Sequence, residues 1–318
     1  MKAGKVKEKR TLGQWLKYQG KVFKKNWGLL VLCMPTLIGL FLFSYVPMPG
    51  IIMAFKKYTF KDGIFGSKWI GLSNFKYFFS SSSALYIVRN TVGYFLLFSI
   101  VGTVVAVIGA LLMFEINNKT CLKLYQTCVQ FPRFMSWVVI GFISYAILSP
   151  TNGLLNKFLI AIGAQKIDVY TTRWVWPFIM LICTMWASFG RDVIMYYAKL
   201  MGVDSSLYEA AAIDGANRMQ QVWHVSLPSV VPLVVVLQLM NLGHIFNGSF
   251  DPFYIIPRDQ AYLYPVTDNV ATFIMRGLQT GDYGASSAMG FAQSFIGLAM
   301  VLIANAIVKK VSPENAMF

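Results

Sequence analysis

The chain has 318 residues, of which 56% are hydrophobic and only 13% are charged. A soluble domain of this size could not bury so much apolar surface, so this composition excludes an ordinary soluble protein and indicates that lipid surrounds much of the chain. The formal net charge of +15 could suggest nucleic-acid binding. Because much of that excess lies in the first 25 residues, beside a predicted membrane span, we expect contact with anionic lipid and no nucleic-acid partner.

The N-terminal segment, residues 1–25, is a basic tail. It is too long and too basic for the start of a secretory signal, and no small-residue cleavage site follows the apolar run after it. Basic residues flanking a first span favour the cytoplasmic side, so we expect the N-terminus in the cytoplasm. The nine basic residues are Lys2, Lys5, Lys7, Lys9, Arg10, Lys17, Lys21, Lys24 and Lys25.

Six uncharged runs follow, and most reach the ~20 residues that a helix needs to cross a bilayer. They lie at 26–55, 90–114, 134–156, 174–190, 225–250 and 283–308, with His244 inside the fifth and the run at 174–190 the shortest. These runs have neither the polar face of an amphipathic core helix nor the alternation of a membrane β-strand. The sequence therefore predicts an all-α, polytopic membrane protein with six transmembrane helices.

Six spans return the C-terminus to the cytoplasm. Beyond the tail, the predicted inner segments carry eight basic residues and the outer segments eleven, so this topology depends on the tail and on the motif described below. The predicted regions are the tail 1–25, a first span with an outer segment at 26–85, a permease domain at 86–309 and a C-terminal tail at 310–318. Two polar, turn-rich stretches, 47–85 and 251–282, are expected outside, where they meet a delivery protein, cover the substrate path or simply connect spans.

The longest polar interruption, 191–224, is predicted to face the cytoplasm. Within it, Ser206 and Glu209 have the spacing of a capping box, in which each side chain satisfies a free backbone N–H at a helix start. A short helix should run from there to about Asp214.

Gly215 should then make a turn, because glycine past a helix end adopts the left-handed conformation at little cost. A second short helix is expected over 216–224, and Pro228 should open the fifth span, where its missing N–H has no effect. Three small side chains would let this helical turn approach another protein closely; they are Ala210, Ala211 and Ala212.

This segment resembles the signature of the permease subunits of binding-protein-dependent ABC importers, which is E-A-A, three residues, G, nine residues, I, one residue, L-P. The matching residues here are Glu209, Ala210, Ala211, Gly215, Val225 in place of Ile, Leu227 and Pro228. Other segments resemble the carbohydrate-uptake branch of that family, in particular its oligosaccharide and polysaccharide permeases. These are Tyr45-Val46-Pro47, Ala54-Phe55, Tyr58, residues 69–75, residues 153–156, Trp186, Gly190 and residues 196–200.

The resemblance implies the six-helix fold of a type I ABC importer permease, with residues 204–228 as a coupling loop seated in a cleft of the ATPase. The residues with this role would be Glu209, Ala210, Ala211, Asp214, Gly215, Leu227 and Pro228. Glu209 would face a basic residue of the ATPase, although the capping role alone remains open.

The resemblance also implies the partners of the chain. These are a second related permease, expected to be a different chain, two ATPase subunits and an extracytoplasmic solute-binding protein, in the plasma membrane of a prokaryote. No cofactor is expected on this chain, because ATP and Mg would bind the partner ATPase and no phosphate-binding G-x-x-x-x-G-K-[ST] occurs in the sequence. Motifs of metal sites or nucleophilic enzymes are absent as well, so we expect a transport subunit and not an enzyme.

Polar and aromatic residues inside spans are candidates for the substrate pathway, because a polar group facing lipid is costly. The fifth span places four of them near one helix face, at spacings of three: Gln238, Asn241, His244 and Asn247. Additional candidates in other spans are Trp186, Tyr145, Gln293 and Ser294. Amides, an imidazole and aromatic rings suit a sugar, although packing between helices would use the same residues.

Two alternatives remain at this point. The same fold could import an amino acid, a peptide or phosphate. An ion-driven secondary transporter or an intramembrane enzyme would instead need a charged or nucleophilic group within a span, and apart from His244 the predicted runs contain none.

Overall fold

The computed structural model describes Gly13, residues 21–246 and residues 249–311. Throughout these ranges the chain is mainly helical, with one small antiparallel sheet, which confirms the predicted all-α class. The α-helices are α1 (Trp27–Leu40), α2 (Gly63–Gly66), α3 (Ser73–Phe79), α4 (Ser82–Phe114), α5 (Lys119–Gln130), α6 (Trp137–Leu148), α7 (Leu154–Ala161), α8 (Trp176–Met201), α9 (Ser205–Ile213), α10 (Arg218–Gln221), α11 (Leu227–Leu242), α12 (Phe250–Ile255), α13 (Tyr264–Thr267), α14 (Val270–Thr280) and α15 (Tyr283–Val311). The strands are β1 (Lys56–Lys57) and β2 (Lys68–Trp69).

Five continuous helical stretches in the described residues are long and apolar enough to cross a membrane. They are Trp27–Phe55, Ser82–Phe114, Arg173–Met201, Arg218–Leu242 and Tyr283–Lys310. The fourth span is longer than predicted. It was expected over 174–190, and its helix continues to Met201. The described residues therefore contain five candidate spans, and a sixth if the bent helix pair described next is counted as one.

The predicted span over 134–156 is not one continuous helix. The sequence there forms α6, which has only 12 residues and follows α5 at a bend of 97°. At 1.5 Å per residue such a helix covers about 18 Å, less than the ~30 Å hydrocarbon core. A tight turn at Phe131–Phe134, with Pro132 buried, separates the two helices, and the Ser136 hydroxyl then caps α6 by accepting the Val139 N–H.

By contacts the chain divides into two compact units, Met1–Ile52 and Met53–Phe318. The first contains α1, which runs on into a π-helical turn at Phe41–Tyr45. Most of the predicted tail 1–25 lies outside the described residues, as does the predicted C-terminal tail 310–318 beyond Val311.

The stretch from Met53 to α4, part of the predicted loop segment 47–85, is folded. β1 and β2 pair in antiparallel register, with Lys56 opposite Trp69. The Asn74 side chain on α3 donates hydrogen bonds to the carbonyl oxygens of Ala54, at 2.9 Å, and Lys56, at 3.1 Å. Asn74 thereby holds the hairpin against α3, and its polar side chain has a structural role.

Two buried clusters pack the spans of the second unit at different depths. One joins α8 and α4 to residues 169–170 and to α12, and it is built around Trp176, Tyr94 and Phe253. The other joins α4, α8 and α11 further along the same helices, around Ala110, Leu200 and Val230. Between these two clusters, the same helices can line a cavity.

The second predicted loop, 251–282, is also mainly helical, and we call residues 249–282 the cover segment. It is fixed to α4 by Asn90, whose side chain donates to the carbonyl oxygens of Asp268, at 2.9 Å, and Pro265, at 3.2 Å. Asp268 is 3% exposed and pairs with Arg276 at 2.5 Å, and Arg276 also lies 3.8 Å from the centre of the Tyr264 ring. A buried charge is tolerated when it is paired and hydrogen-bonded, so this network fixes one shape of the cover segment.

Candidate functional site

A cavity of about 610 Å³ lies between α4, α8 and α11, and the cover segment contributes to its wall at one end. This volume is in the range of small-molecule sites in proteins. Its wall combines aromatic rings, amides and charged groups. The aromatic residues are Tyr94, Phe95, Phe98, Trp137, Tyr196 and Phe253, and the amides are Gln238, Asn241 and Asn269. Such a mixture offers both stacking faces and hydrogen bonds to a polar ligand.

Three of the four residues predicted on one face of the fifth span line this cavity: Gln238, Asn241 and His244. The fourth, Asn247, lies outside the described residues. The predicted continuous helix over 225–250 is wrong, because α11 ends at Leu242 and His244 lies in the turn that follows. At this end Gly243 packs tightly on α15: a β-carbon there would lie 2.2 Å from a methyl carbon of Val301.

Gln238 has partners within the wall. Its side-chain carbonyl accepts a hydrogen bond from the Ser99 hydroxyl, and its amide donates to the Thr103 hydroxyl. Both hydroxyls belong to α4, so Gln238 connects α11 to α4 across the spans. This geometry is the helix-packing alternative for Gln238.

The remaining candidates are not among the residues that line the cavity. Trp186 is 40% exposed on α8, and Gln293 is half-buried on α15. The Tyr145 ring lies 4.1 Å below the Arg258 guanidinium and 6.0 Å from the Tyr170 ring. The Ser294 hydroxyl donates to a backbone carbonyl of its own helix.

The cavity also contains charged residues that the sequence-based search missed. Arg191 and Asp192 lie within the helical stretch Arg173–Met201 and line the cavity, together with Arg133 from the turn before α6. The Arg191 Nε donates to the Asp192 Oδ1 at 2.7 Å. The predicted run 174–190 contains no charge, but the helical stretch that includes it continues through Arg191 and Asp192. The predicted run ended at residue 190 because the search required uncharged sequence.

At the other end of these helices, the predicted coupling loop 204–228 begins with α9. Its N-terminal cap is Asp204, whose carboxylate accepts the Ser206 N–H at 3.0 Å. The predicted capping box of Ser206 and Glu209 is therefore wrong, although the helix ends at Ile213, with Asp214 as its C-terminal cap, close to where the sequence places it. Hydrogen bonds from Ser206 hold the pKa of Asp204 below its usual value, since they favour the charged form.

The turn at Gly215 has the predicted geometry, with a φ of +81° that suits glycine. A capping box does occur just after it, where Asn217 and Gln220 exchange side-chain and backbone hydrogen bonds at the start of α10. The second helix was predicted over 216–224, but it begins at Arg218 and continues without a break to Leu242. Pro228 consequently lies inside a continuous helical stretch and does not open it.

A π-helical turn at Val222–Ser226 explains how the helix accommodates Pro228. The Leu227 N–H donates to the Val222 carbonyl, one residue further back than in an α-helix. Proline in a regular helix removes a hydrogen bond, and its ring contacts the carbonyl four residues earlier; a locally wider turn relieves the steric contact.

Tyr208 connects α9 to two spans, and sequence reasoning gave it no role. Its hydroxyl lies 3.0 Å from the Ser226 hydroxyl in the π-helical turn, and its ring centre lies 5.7 Å from that of Phe114 at the end of α4. A displacement of α9 would therefore act directly on α4 and on the stretch that becomes α11.

Removing only the hydroxyl, with Tyr208→Phe, should weaken this connection without disturbing the ring contact. A neutral hydrogen bond contributes about 0.5–1.5 kcal/mol, so in the importer that the sequence resemblance implies we expect a several-fold fall in solute transported per ATP hydrolysed. Ser226→Ala should have the same effect, and the double variant should be no worse than either single variant. Additive losses in the double variant would show that the two hydroxyls act separately.

The exposed surface of this segment is more apolar than is usual for a polar loop. Ile213 is 86% exposed, Met219 65% and Leu207 53%, and the small Ala210 and Ala212 are exposed beside them. Glu209 is also exposed, and it has neither a hydrogen bond nor an ion pair within the described residues. An apolar, low-relief surface with an adjacent carboxylate is typical of a protein-docking site.

Comparison with known proteins defines the class. A sequence model for one protein family matches residues 102–315, and that family is described as the binding-protein-dependent transport system inner membrane component. The match covers more than half of the chain. The chain therefore belongs to this family of ABC importer permeases, which confirms the resemblance found in the E-A-A segment.

Individual relatives extend over nearly the whole chain. The polygalacturonan/rhamnogalacturonan transport system permease protein YteP of Bacillus subtilis is 33% identical over 289 residues, which are 90% of this chain and 89% of YteP. LplB of the same organism is 29% identical over 307 residues, or 96% of this chain and 95% of LplB.

The fold has a counterpart among solved structures. A chain in the crystal structure of a bacterial alginate ABC transporter, in complex with an alginate pentasaccharide-bound periplasmic protein, superposes with a TM-score of 0.82. It is 31% identical in sequence, and the match covers 92% of this chain and 97% of that one. The similarity confirms the permease fold and supports the carbohydrate branch over the other solute classes.

Proposed function

We propose that the chain is the permease subunit of an ATP-driven importer and carries an oligosaccharide across the plasma membrane of a prokaryote. The observation that carries this proposal is the cavity of about 610 Å³ between the spans, lined by aromatic rings and amides. Sugar rings stack on aromatic faces, and their many hydroxyls bond to amides. The named relatives, a polygalacturonan/rhamnogalacturonan permease and a chain of an alginate transporter, support the same class of solute.

Energy would enter through the coupling loop, residues 204–228. We propose that α9 seats in a cleft of a separate ATPase, with Glu209, Ala210 and Ala211 facing the partner, and with Asp214, Gly215, Leu227 and Pro228 fixing the bend. The exposed apolar side chains of this segment support such a docking surface. When the ATPases close on ATP, the loop would move, and Tyr208 would transmit the movement to α4 and α11.

The proposed assembly contains this chain, a second and different permease, two ATPase subunits and an extracytoplasmic solute-binding protein. Both termini and residues 204–228 would face the cytoplasm, and the cover segment would face outward, where the binding protein delivers the solute. ATP and Mg would bind only the ATPases. Alternating access then follows, because ATP favours one state of the spans and hydrolysis restores the other.

Uptake into proteoliposomes containing the purified complex tests this proposal. The probes are labelled oligogalacturonates of three to five sugars, maltotetraose, a pentapeptide, an amino acid and inorganic phosphate, each with the binding protein present. We expect ATP-dependent uptake of at least one oligosaccharide and none of the other three classes. Uptake of phosphate, peptide or amino acid instead would overturn the solute class. Uptake driven by an ion gradient without ATP would overturn the mechanism.

A further inference from the structure

Two arginines, Arg133 and Arg191, line one end of the cavity. Neither was among the substrate-pathway residues predicted from the sequence. Arg191 belongs to the helical stretch Arg173–Met201, which has 29 residues. It lies four positions from the centre of that stretch, about 6 Å along the axis. Charged side chains within membrane spans are rare, and in membrane proteins such residues mark substrate or ion pathways by default.

Arg133 reaches the same region from a different part of the chain. It lies in the turn that follows α5, and α5 packs against α8 next to Arg191. The contact is close: a β-carbon on Gly190 would lie 2.8 Å from the Gln130 Cα. Both arginines therefore line the cavity at the level of Gly190.

The charge of the cavity wall is positive overall. Its formally charged residues are Arg133, Arg191 and Asp192, with His244 as the one further titratable side chain besides tyrosine. Asp192 accepts from the Nε of Arg191, an arrangement that leaves the two terminal nitrogens of the guanidinium for another acceptor. Arg133 and Arg191 are exposed to the cavity, and the net positive charge of its wall attracts an anion.

We infer that this cavity selects oligosaccharides bearing carboxylates, and that Arg133 and Arg191 are the residues that bind the acid groups. This inference rests on the proposed function and adds a charge to its solute. Guanidinium and carboxylate match in planar, two-point geometry, whereas the aromatic wall contacts the sugar rings. Asp192 is a positioning residue, because its carboxylate accepts a hydrogen bond that orients the Arg191 guanidinium. The same carboxylate would repel the acid group of the ligand.

A matched pair of probes tests the inference without changing the sugar chain. Radiolabelled tetragalacturonate and its fully methyl-esterified form differ only in charge at each sugar. Binding is measured to the purified complex in nanodiscs without the solute-binding protein, so that protein's own selectivity does not enter. The intact complex should bind the acid at least about tenfold more tightly than the ester, since a charged hydrogen bond contributes ~1.5–3 kcal/mol.

Arg191→Gln and Arg133→Gln should each weaken binding of the acid about tenfold and leave binding of the ester unchanged. Arg191→Lys should retain part of the preference, because the charge remains and the two-point geometry is lost. Complex assembly, followed by size-exclusion chromatography, shows that the variants fold. A phosphorylated neutral tetrasaccharide is the third probe and should bind more weakly than the uronate.

Three results would overturn the inference. These are equal binding of acid and ester by the intact complex, equal loss of both probes in Arg191→Gln, and tighter binding of the phosphorylated probe. In each of these cases oligosaccharide import can still be observed, so the proposed function stands. Binding of neither sugar, together with uptake of peptide or phosphate, would reject the proposed function itself.

Discussion

Replacing Gly190 with valine should abolish assembly of the importer. A β-carbon at this position would lie 2.3 Å from the carbonyl oxygen of Val129 and 2.8 Å from the Cα of Gln130. Both obstacles are backbone atoms, which cannot rotate away as a side chain can, so α5 would have to separate from α8. Overpacking of a close contact typically costs about 1–3 kcal/mol, and a β-branched side chain against backbone should exceed this range.

The measurement is the yield and thermal midpoint of the detergent-solubilised complex, compared among variants. Gly190→Ala should be intermediate, because it adds one carbon at the same place. Gly93→Ala is the matched control, since Gly93 lies in α4 with no atom within 4 Å of an added β-carbon. That variant should be neutral or slightly stabilising, because alanine favours a helix over glycine by ~0.5–1 kcal/mol. Normal yield and midpoint for Gly190→Val would show that α5 and α8 do not make this contact.

Hydropathy predicted the positions of the spans well, but it did not predict where their helices bend. Apolar composition reports which residues prefer lipid, and each predicted run does contain a helix. It does not report direction, so the 97° bend between α5 and α6 left no trace in the run at 134–156. Pro132 was the available signal, since a helix tends to end before a proline.

The same limitation hid Arg191 and Asp192. A search for uncharged runs ends a span at the first charge, and by construction it excludes the residues that a polar pathway would use. Helix continuity is set instead by packing, and buried residues such as Val193 and Leu200 anchor α8 well beyond residue 190. Tertiary contacts of this kind are not visible in a single sequence.

The local structure of residues 204–228 was predicted more closely, because its turn depends on one residue. Glycine at 215 requires no tertiary information to favour a left-handed turn, and the structure has it there. The cap was predicted wrongly because Asp204, Ser205 and Ser206 are consecutive and each can cap a helix. The choice among them depends on where the preceding span ends, which the sequence did not give.

Glu209→Lys should abolish ATP-driven transport while the permease itself remains folded. Asp204, and not Glu209, caps α9, and the Glu209 side chain is exposed without a partner among the described residues. The charge of Glu209 therefore does not stabilise the fold of the described residues. If Glu209 faces a basic residue of the ATPase, reversing the charge replaces an attraction by a repulsion at the docking surface. Like charges across an interface cost several kcal/mol, so we expect transport to fall by about a hundredfold or more.

Glu209→Gln separates charge from shape, because it keeps the size of the side chain and removes the ion pair. We expect an assembled complex with weakened coupling, measured as ATPase stimulation by the loaded binding protein and as solute moved per ATP. Asp214→Asn is the matched control, since Asp214 is also an exposed carboxylate and lies at the C-terminal end of α9, and the loss there should be smaller. Normal coupling in Glu209→Gln, or equal losses in both variants, would mean that α9 meets its partner through apolar contact and general negative charge, and that Glu209 makes no specific ion pair.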